Sequence, residues 1–320
     1  MSAQAATVKR PRDAAWLSQR ERGTLLLIHA TCRLAQLLGR RLTKPLVLGI
    51  ALFYRLTDRR AVRASRRWLT TALGRPPTFG ETFRHLHTFT QVTMDRVLLV
   101  SGRARAFTFT RTGNEHIARQ FASGRGAVLL GGHLGSFEAM RSGGEEDRVR
   151  IQVLGHFANA RMINALLEKL DPERAAQVIH IGDDPIGQMA RVHGRVEAGD
   201  FVALLGDRTG LNERTVTATF FGRAARFPAG PFLLAALLKC PVYLTFGIYR
   251  RPDRYELHCE PFAEHLRLPR QDRERALGEV VQRYAERLEH YARSAPYNWF
   301  NFYDFWQDGP ERDTADAAAR

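Results

Sequence analysis

Short apolar runs and amphipathic stretches alternate over most of the chain. The strand-like runs are residues 126–130, 151–154, 177–181, 201–205, 216–221 and 241–249, with 254–260 as an edge partner. The helix-like stretches are residues 114–123, 160–170, 185–198, 231–239 and 272–294. Apolar runs of strand length between helices are typical of buried strands in a parallel sheet. The pattern therefore predicts an α/β fold with a mainly parallel central sheet flanked by helices.

The beginning of the chain has a different pattern, in which leucine-rich stretches are mixed with basic residues. In the first stretch, the residues at helical spacing are Leu27, Thr31, Leu34 and Leu38. A second apolar run follows at residues 46–54. Neither stretch reaches the roughly 20 apolar residues that a helix needs to span a bilayer. Such helices are typical of proteins that lie on a membrane surface.

The positive charge is concentrated in the same region. The formal net charge of the chain is +15, and residues 1–75 hold 16 Lys and Arg against 3 Asp and Glu, which leaves +13 there and +2 elsewhere. This distribution favours an anionic membrane as partner over nucleic acid, with packing of basic helices on the domain as the alternative. We predict three regions, namely a basic amphipathic membrane-associating region at 1–75, an α/β domain at 76–310 and a disordered tail at 311–320.

The most informative chemistry follows the run 126–130, where the chain continues Gly-Gly-His-Leu-Gly-Ser-Phe-Glu. A strand, a glycine turn and a helix are expected in that order, which leaves His133 at the carboxyl edge of the sheet, where open α/β folds bind ligands. Glu138, in the first helical turn, is expected to fold back onto one ring nitrogen. The other nitrogen would then act as a general base. The alternative is a capping histidine with a surface glutamate.

Further candidate residues are expected around the same edge of the sheet. They are Arg161, Asp207, Arg208, Phe221, Gly222 and Gly230. The Asp-Arg pair would position an anionic group or brace the site, unless it is only a turn. The Phe-Gly pair and the later glycine precede an apolar helix whose N-terminus attracts anions, unless they form only a tight connection. Arg161 would meet a phosphate or cap a helix. The three cysteines lack metal-ligand spacing, and we predict no metal site.

Taken together, these residues resemble the lysophospholipid acyltransferase superfamily, and within it a divergent bacterial subgroup of the late acyltransferases of lipid A biosynthesis. The superfamily motif His-x4-Asp/Glu is matched by His133 and Glu138, and the later aspartate of the lipid A branch by Asp207. The Phe-Phe-Gly segment at 220–222 and the Pro-aromatic run at 296–306 also match. The chain departs from the branch in having Asp-Arg where many members have Asp-Gln or Asp-Glu.

The resemblance implies a membrane-surface O-acyltransferase without a cofactor. It would move an acyl chain from an acyl carrier protein or coenzyme A thioester to a hydroxyl of a lipid acceptor, at the cytoplasmic face of the bacterial inner membrane, as a peripheral or monotopic protein. The backbone of the turn at Gly132 and Gly135, or Arg161 or Arg208, would stabilise the oxyanion. The aromatic residues 297–306 would wall an acyl tunnel or form a core strip. A non-catalytic lipid- or carrier-binding protein and a lipid ester hydrolase are the alternatives.

Overall fold

The computed structural model describes residues 25–145, 149–155, 171–172, 176–180, 185–209 and 213–306. Its α-helices are α1 (Leu25–Leu42), α2 (Lys44–Thr57), α3 (Arg59–Leu73), α4 (Phe79–Val100), α5 (Asn114–Ala122), α6 (Phe137–Glu145), α7 (Pro185–Glu197), α8 (Gly230–Leu238) and α9 (Arg273–Ser294). Its strands are β1 (Thr108–Thr112), β2 (Ala127–Gly131), β3 (Ile151–Gly155), β4 (Val178–His180), β5 (Phe201–Leu205), β6 (Thr215–Phe220), β7 (Arg223–Pro228), β8 (Val242–Arg250) and β9 (Arg254–Ala263).

A seven-stranded sheet forms the centre of the protein, in the order β1-β9-β8-β2-β5-β3-β4. All its neighbouring strands are parallel except the hairpin pair β8 and β9. Every residue of β2 is buried, as expected for an apolar strand at the middle of a sheet covered on both faces. The predicted α/β fold, with a mainly parallel sheet flanked by helices, is confirmed. The predicted helix at 160–170 lies outside the described residues.

One predicted strand belongs to a second sheet. Among the described strands, β6 and β7 pair only with each other, in an antiparallel hairpin. The hairpin packs on α9, where Thr219 donates its backbone N–H to Gln282 Oε1 at 2.7 Å. Its two-residue turn is Phe221-Gly222, and both residues have positive φ, 53° and 72°. A two-residue turn of this kind matches the twist of the flanking strands.

Helices α1, α2 and α3 pack beside α4 rather than against the centre of the sheet. The buried guanidinium of Arg40 in α1 is 2.9 Å from the carboxylate of Asp95 in α4, and the hydroxyl of Tyr255 donates to the same carboxylate at 2.9 Å. Trp68 of α3 reaches the main core and donates its Nε1–H to the carbonyl of Pro296 at 2.7 Å. Within the described part of the chain, no helix is long and apolar enough to cross a membrane.

The aromatic run that follows α9 is buried in the core. Trp299 is fully buried, and its ring meets Trp68 at 4.5 Å, Phe220 at 5.3 Å and Phe305 at 4.7 Å between centroids. The segment crosses the carboxyl end of β2, where Leu134 forms a bridge to Trp299. The chain thereby returns, after the last helix, to the edge of the sheet at which His133 was expected.

Candidate active site

The predicted strand, glycine turn and helix are present in that order. Strand β2 ends at Gly131 and α6 begins at Phe137, so His133 lies in the turn with 26% of its side chain exposed. Gly135 has φ +77°, and a Cβ atom there would overlap the carbonyl of Gly247 on β8. Only glycine therefore fits this position, and the close approach of the turn to β8 fixes the path of the chain around His133.

Asp207 is the carboxylate that meets the imidazole. Its Oδ1 lies 2.7 Å from Nδ1 of His133. Strands β2 and β5 are parallel neighbours, with Gly131 in register with Leu205. Since parallel strands end at the same edge, the residues that follow them emerge side by side. The sheet therefore unites two residues that are 74 positions apart in the chain.

The other oxygen of Asp207 is held by three donors. Oδ2 accepts hydrogen bonds from the backbone N–H of His133 at 2.9 Å, from Nε1–H of Trp299 at 3.0 Å and from Nδ2–H of Asn301 at 3.3 Å. The carboxylate is completely buried. A buried carboxylate is tolerated only when its oxygens are satisfied in this way, so the network fixes both its charge and its orientation.

The electrostatics of the pair favour a neutral imidazole beside an ionised carboxylate. Burial, together with the nearby positive charge of Arg208, lowers the pKa of His133 against the opposing effect of Asp207. For Asp207, burial acts to raise the pKa, but the charge of the His133 ring when it is protonated, the hydrogen bonds from His133 and the charge of Arg208 outweigh burial and lower the pKa to about 2. At neutral pH, His133 is therefore in the form that accepts a proton.

Glu138 occupies a different position from the one expected. Its buried carboxylate lies in the first turn of α6, 3.7 Å from Nε of Arg96 and 3.8 Å from Nη1 of Arg141. Arg141 is itself buried and also donates to Gln177 Oε1 at 2.5 Å. The carboxylate at Nδ1 of His133 is thus Asp207 rather than Glu138, because the end of β5 delivers an aspartate to that side of the ring.

Arg208 joins the site to the C-terminal aromatic segment. Its Nε donates to Asn301 Oδ1 at 2.7 Å, and its Nη2 donates to the carbonyl of Phe300 at 2.7 Å. Its guanidinium carbon is 5.9 Å from the centre of the Tyr303 ring. The side chains of Asp207 and Arg208, which follow β5, therefore both bind the C-terminal aromatic segment. Arg208 also places a positive charge near His133.

Gly132, which precedes His133, is closely packed against its neighbours. A Cβ on Gly132 would meet Tyr284 Oη at 3.2 Å and Asp207 Cγ at 3.3 Å. The Tyr284 hydroxyl donates to the carbonyl of Gly131 at 2.7 Å. A side chain at position 132 would thus push directly on the His–Asp pair.

Three of the remaining candidates lie in the hairpin region. Phe221 packs edge-on against Trp68 at 5.1 Å, and its backbone N–H donates to Glu289 at 2.5 Å. Gly222, which is exposed, completes the hairpin turn. Gly230 begins α8, where a Cβ would come within 2.7 Å of the carboxylate of Glu213. Their described contacts are with hairpin, helix and core residues, whereas Arg161 lies outside the described residues.

An apolar cavity adjoins the turn that carries His133. A space of about 270 Å³ is lined by Gly131, Gly132, Leu134, Phe137 and Met140, among others. A larger space of about 570 Å³ shares Leu129, Phe137, Met140 and Thr245 with it. The larger one continues beneath α6 to Ile117, Phe201 and Cys259. The two spaces adjoin each other between α6 and the sheet, and the smaller one is lined by Gly132 and Leu134, the residues on either side of His133.

Asn301 and Tyr284 were not among the residues expected at the site, and Trp299 was expected only in the wall of an acyl tunnel or in a core strip. The Pro-aromatic run that contains Trp299 is part of the family resemblance, but nothing in its spacing indicates a contact with Asp207. Tyr284 belongs to an amphipathic helix whose buried face is apolar, where a tyrosine resembles any other core residue.

Comparisons with known proteins address the family of the chain. A family model described as bacterial lipid A biosynthesis acyltransferase matches residues 17–308. Comparison with individual curated proteins gives no significant match. The match to the model spans the N-terminal helices, the sheet and the C-terminal aromatic segment, and therefore includes every part of the site described above. The chain belongs to the bacterial lipid A biosynthesis acyltransferase family.

Proposed function

We propose that this acyltransferase moves an acyl chain from a thioester to a lipid hydroxyl at a membrane surface, with His133 as general base and Asp207 as the carboxylate that orients it. The observation that carries the proposal is the 2.7 Å contact between Nδ1 of His133 and Oδ1 of Asp207, at a strand end beside an apolar cavity. A histidine that acts as a general base needs a fixed tautomer and a neutral ring, and the contact with Asp207 and the lowered pKa of His133 support both.

The orientation of the ring sets the direction of proton transfer. Because Asp207 accepts the hydrogen of Nδ1, the lone pair resides on Nε2. Nε2 takes the proton of the acceptor hydroxyl as its oxygen attacks the thioester carbonyl. The tetrahedral intermediate then expels the thiolate, which takes the proton from the imidazolium, and the products are an ester and a thiol. Base catalysis of this kind contributes about 10²–10⁴ in rate.

We assign the acyl chain of the donor to the cavity beneath α6. Its lining near His133 consists of leucine side chains of β2, β5 and the turn, of Phe137 and Met140 of α6, of the backbone at Gly131 and Gly132, and of Thr245 and Gly247 of β8. A thioester placed beside Nε2 would direct its hydrocarbon tail into this space, where burial stabilises it by about 0.8 kcal/mol per CH₂. Met140 and Phe137 border both parts of the cavity and so control passage along it.

The turn has a restricted role in stabilising the oxyanion. The N–H of His133 donates to Asp207, that of Gly135 to the carbonyl of Asn298, and that of Ser136 to the carbonyl of Gly247. These three groups are therefore committed to protein acceptors. The positive charge of Arg208 is a further source of stabilisation for the developing negative charge.

A role for Glu138 at the same site follows from its arginine partners. By pairing with Arg96 of α4, its carboxylate helps to keep α6 in place over the larger cavity, which Arg141 borders. Glu138 thus shapes the cavity proposed for the acyl chain of the donor and takes no direct part in the proton transfer.

The N-terminal helices provide a surface for the membrane. Large apolar side chains are exposed along α1 and α2, namely Leu34, Leu37, Leu38, Leu42, Leu48, Leu52, Phe53 and Leu56. The most exposed, Leu37, has 78% of its surface accessible. Combined with the +13 charge of residues 1–75, this surface fits an anionic bilayer such as the cytoplasmic face of the inner membrane, where acyl carrier protein and coenzyme A thioesters are available.

Vesicle binding tests the membrane surface. Wild-type protein should bind phosphatidylglycerol-containing vesicles more strongly than pure phosphatidylcholine vesicles. The double variant Leu37→Glu/Phe53→Glu should bind at least about tenfold more weakly, because two apolar side chains are lost from the contact. Leu237→Glu, at another exposed leucine on α8, is the matched control and should bind as wild type. If the double variant binds as strongly as wild type, α1 and α2 do not form the membrane contact.

Mass spectrometry of total lipids tests the reaction itself. Cells that express the wild-type chain should contain a lipid class heavier by one acyl chain, and cells expressing His133→Ala should lack it. Free fatty acid without an acylated lipid would instead indicate hydrolysis of the thioester. Identical lipids in cells that express the wild-type chain, in cells that express His133→Ala and in cells without the chain would contradict the proposed acyl transfer.

A further inference from the structure

The segment after α9 touches both members of the His–Asp pair. The backbone N–H of Phe300 donates to the carbonyl of His133 at 2.8 Å. Within the same segment, Trp299 and Asn301 direct their side-chain N–H groups to Oδ2 of Asp207. A stretch of three consecutive residues therefore fixes the backbone of the base and the carboxylate beside it.

We propose that Trp299 and Asn301 are positioning residues of the His133–Asp207 pair, with the indole N–H of Trp299 as the principal donor; this inference rests on the function proposed above. Trp299 is the stronger of the two because its contact with Oδ2 is shorter, 3.0 Å against 3.3 Å. Its side chain is also completely buried, so water does not replace the donor.

Trp299 is itself held by a buried hydrogen-bonded chain. Nε2 of His85 lies 2.9 Å from the carbonyl of Trp299, and Nδ1 of His85 lies 2.9 Å from the hydroxyl of Ser65. A carbonyl only accepts, so Nε2 carries the hydrogen and Nδ1 accepts from the serine. Burial lowers the pKa of His85 to about 4. The ring therefore stays neutral, with its hydrogen on Nε2, throughout the neutral pH range.

The indole N–H does more than hold a side chain in place. A donor on Oδ2 draws negative charge away from Oδ1, so Asp207 stabilises the imidazolium of His133 less than an unbonded carboxylate would. Together with burial and Arg208, the donor therefore contributes to keeping His133 neutral. If the donor is removed and the ring is kept, the pKa of His133 should rise, and the carboxylate should lose part of its orientation.

Phenylalanine at position 299 removes the donor, and the chain offers a matched control. Trp306 lies in the same aromatic cluster and donates its Nε1–H to the carbonyl of Phe220 at 3.1 Å. Trp299→Phe and Trp306→Phe thus each remove one buried indole N–H, but only the first removes a donor to Asp207.

The test is an NMR titration of labelled histidine in the intact protein, with the resonance of His133 assigned through His133→Asn. The pKa of His133 should be higher in Trp299→Phe than in wild type, and unchanged in Trp306→Phe. In acyl transfer, Trp299→Phe should lower kcat about tenfold, the effect of one hydrogen bond to a charged group, with KM unchanged.

A second replacement covers the case in which Trp299→Phe does not fold. Benzothienylalanine, incorporated at position 299 by nonsense suppression, keeps the bicyclic shape but has sulfur in place of N–H. An unchanged or lowered pKa of His133 in the folded variant would overturn the positioning role of Trp299. The titration needs no substrate, so an absence of acyl transfer by the wild-type protein would count against the proposed function and leave this result readable.

Discussion

Replacement of Asp207 by asparagine should reverse the tautomer of His133. Asparagine has the shape of aspartate but carries one acceptor oxygen and one NH₂ donor in place of two acceptor oxygens. Three donors converge on Oδ2, namely the His133 backbone N–H, Trp299 Nε1–H and Asn301 Nδ2–H. The amide oxygen must therefore take the Oδ2 position, which turns the NH₂ group toward Nδ1 of His133.

The energetic preference for this orientation follows from a count of hydrogen bonds. The opposite orientation would set an NH₂ group against three buried donors, and each unsatisfied buried donor costs about 1–3 kcal/mol. The favoured orientation makes Nδ1 an acceptor, so the ring hydrogen moves to Nε2 and blocks the atom that should accept the substrate proton. The same reversal in the Ser-His-Asp hydrolases lowers kcat by about 10⁴. We expect Asp207→Asn to lose about 10³–10⁴ in acyl transfer.

The assay is single-turnover acyl transfer from a long-chain acyl coenzyme A to an extract of total lipids presented in vesicles. Asp304→Asn is the matched control, since Asp304 is exposed and paired with Arg67, and it should retain wild-type activity. Glu138→Gln should lose less than Asp207→Asn, because the ring tautomer is untouched. Circular dichroism establishes that each variant is folded. A folded Asp207→Asn variant with more than about a tenth of wild-type activity would refute the assigned pairing.

Two further predictions concern stability and chain length. The neutral buried His85 has a pKa of about 4 in the folded protein against about 6.5 unfolded, so the unfolded chain binds more protons as the pH falls through this window. The free energy of unfolding should therefore fall between pH 7 and pH 5 by about 2 kcal/mol more in the wild-type protein than in a folded His85→Asn variant. Urea unfolding of both proteins at the two pH values measures this difference. Equal losses would contradict the burial of a neutral ring. Met140→Trp should shift the preference among acyl coenzyme A thioesters toward shorter chains, whereas Leu237→Trp should not. An unchanged preference would mean that the acyl chain does not enter the cavity beneath α6.

Local features of the site could be predicted from the sequence, and its long-range pairing could not. The run 126–130, the glycines and the following amphipathic stretch are enough to expect a strand, a turn with His133 and a helix, and the structure has them. The partner of the imidazole depends on which strand lies beside β2. Strand β5 is its neighbour, and no local pattern contains that strand order, so Glu138, the nearer carboxylate in sequence, was the natural expectation.

The second sheet and the C-terminal segment have similar explanations. Residues 216–221 were expected as a strand, but an apolar run carries no information about its partner, and this one pairs with β7 in a hairpin. Strand β1 was not predicted because its residues Thr-Phe-Thr-Arg-Thr are mostly polar and exposed. Trp299 is 92 positions from Asp207 in the chain, so its role emerges only once the sheet and α9 have brought both residues to the same edge.

The pH dependence of kcat/KM for acyl transfer tests most directly whether neutral His133 is the base. Activity should fall in acid with the titration of one group, at a pH below the ordinary histidine value of about 6.5, because the pKa of His133 is lowered. His133→Ala, folded and bound to vesicles, should lose about 10²–10⁴ in rate, and its residual activity should no longer fall with this titration. Wild-type rates in that variant, or the same fall in acid in its residual activity, would contradict the assignment of His133 as the base.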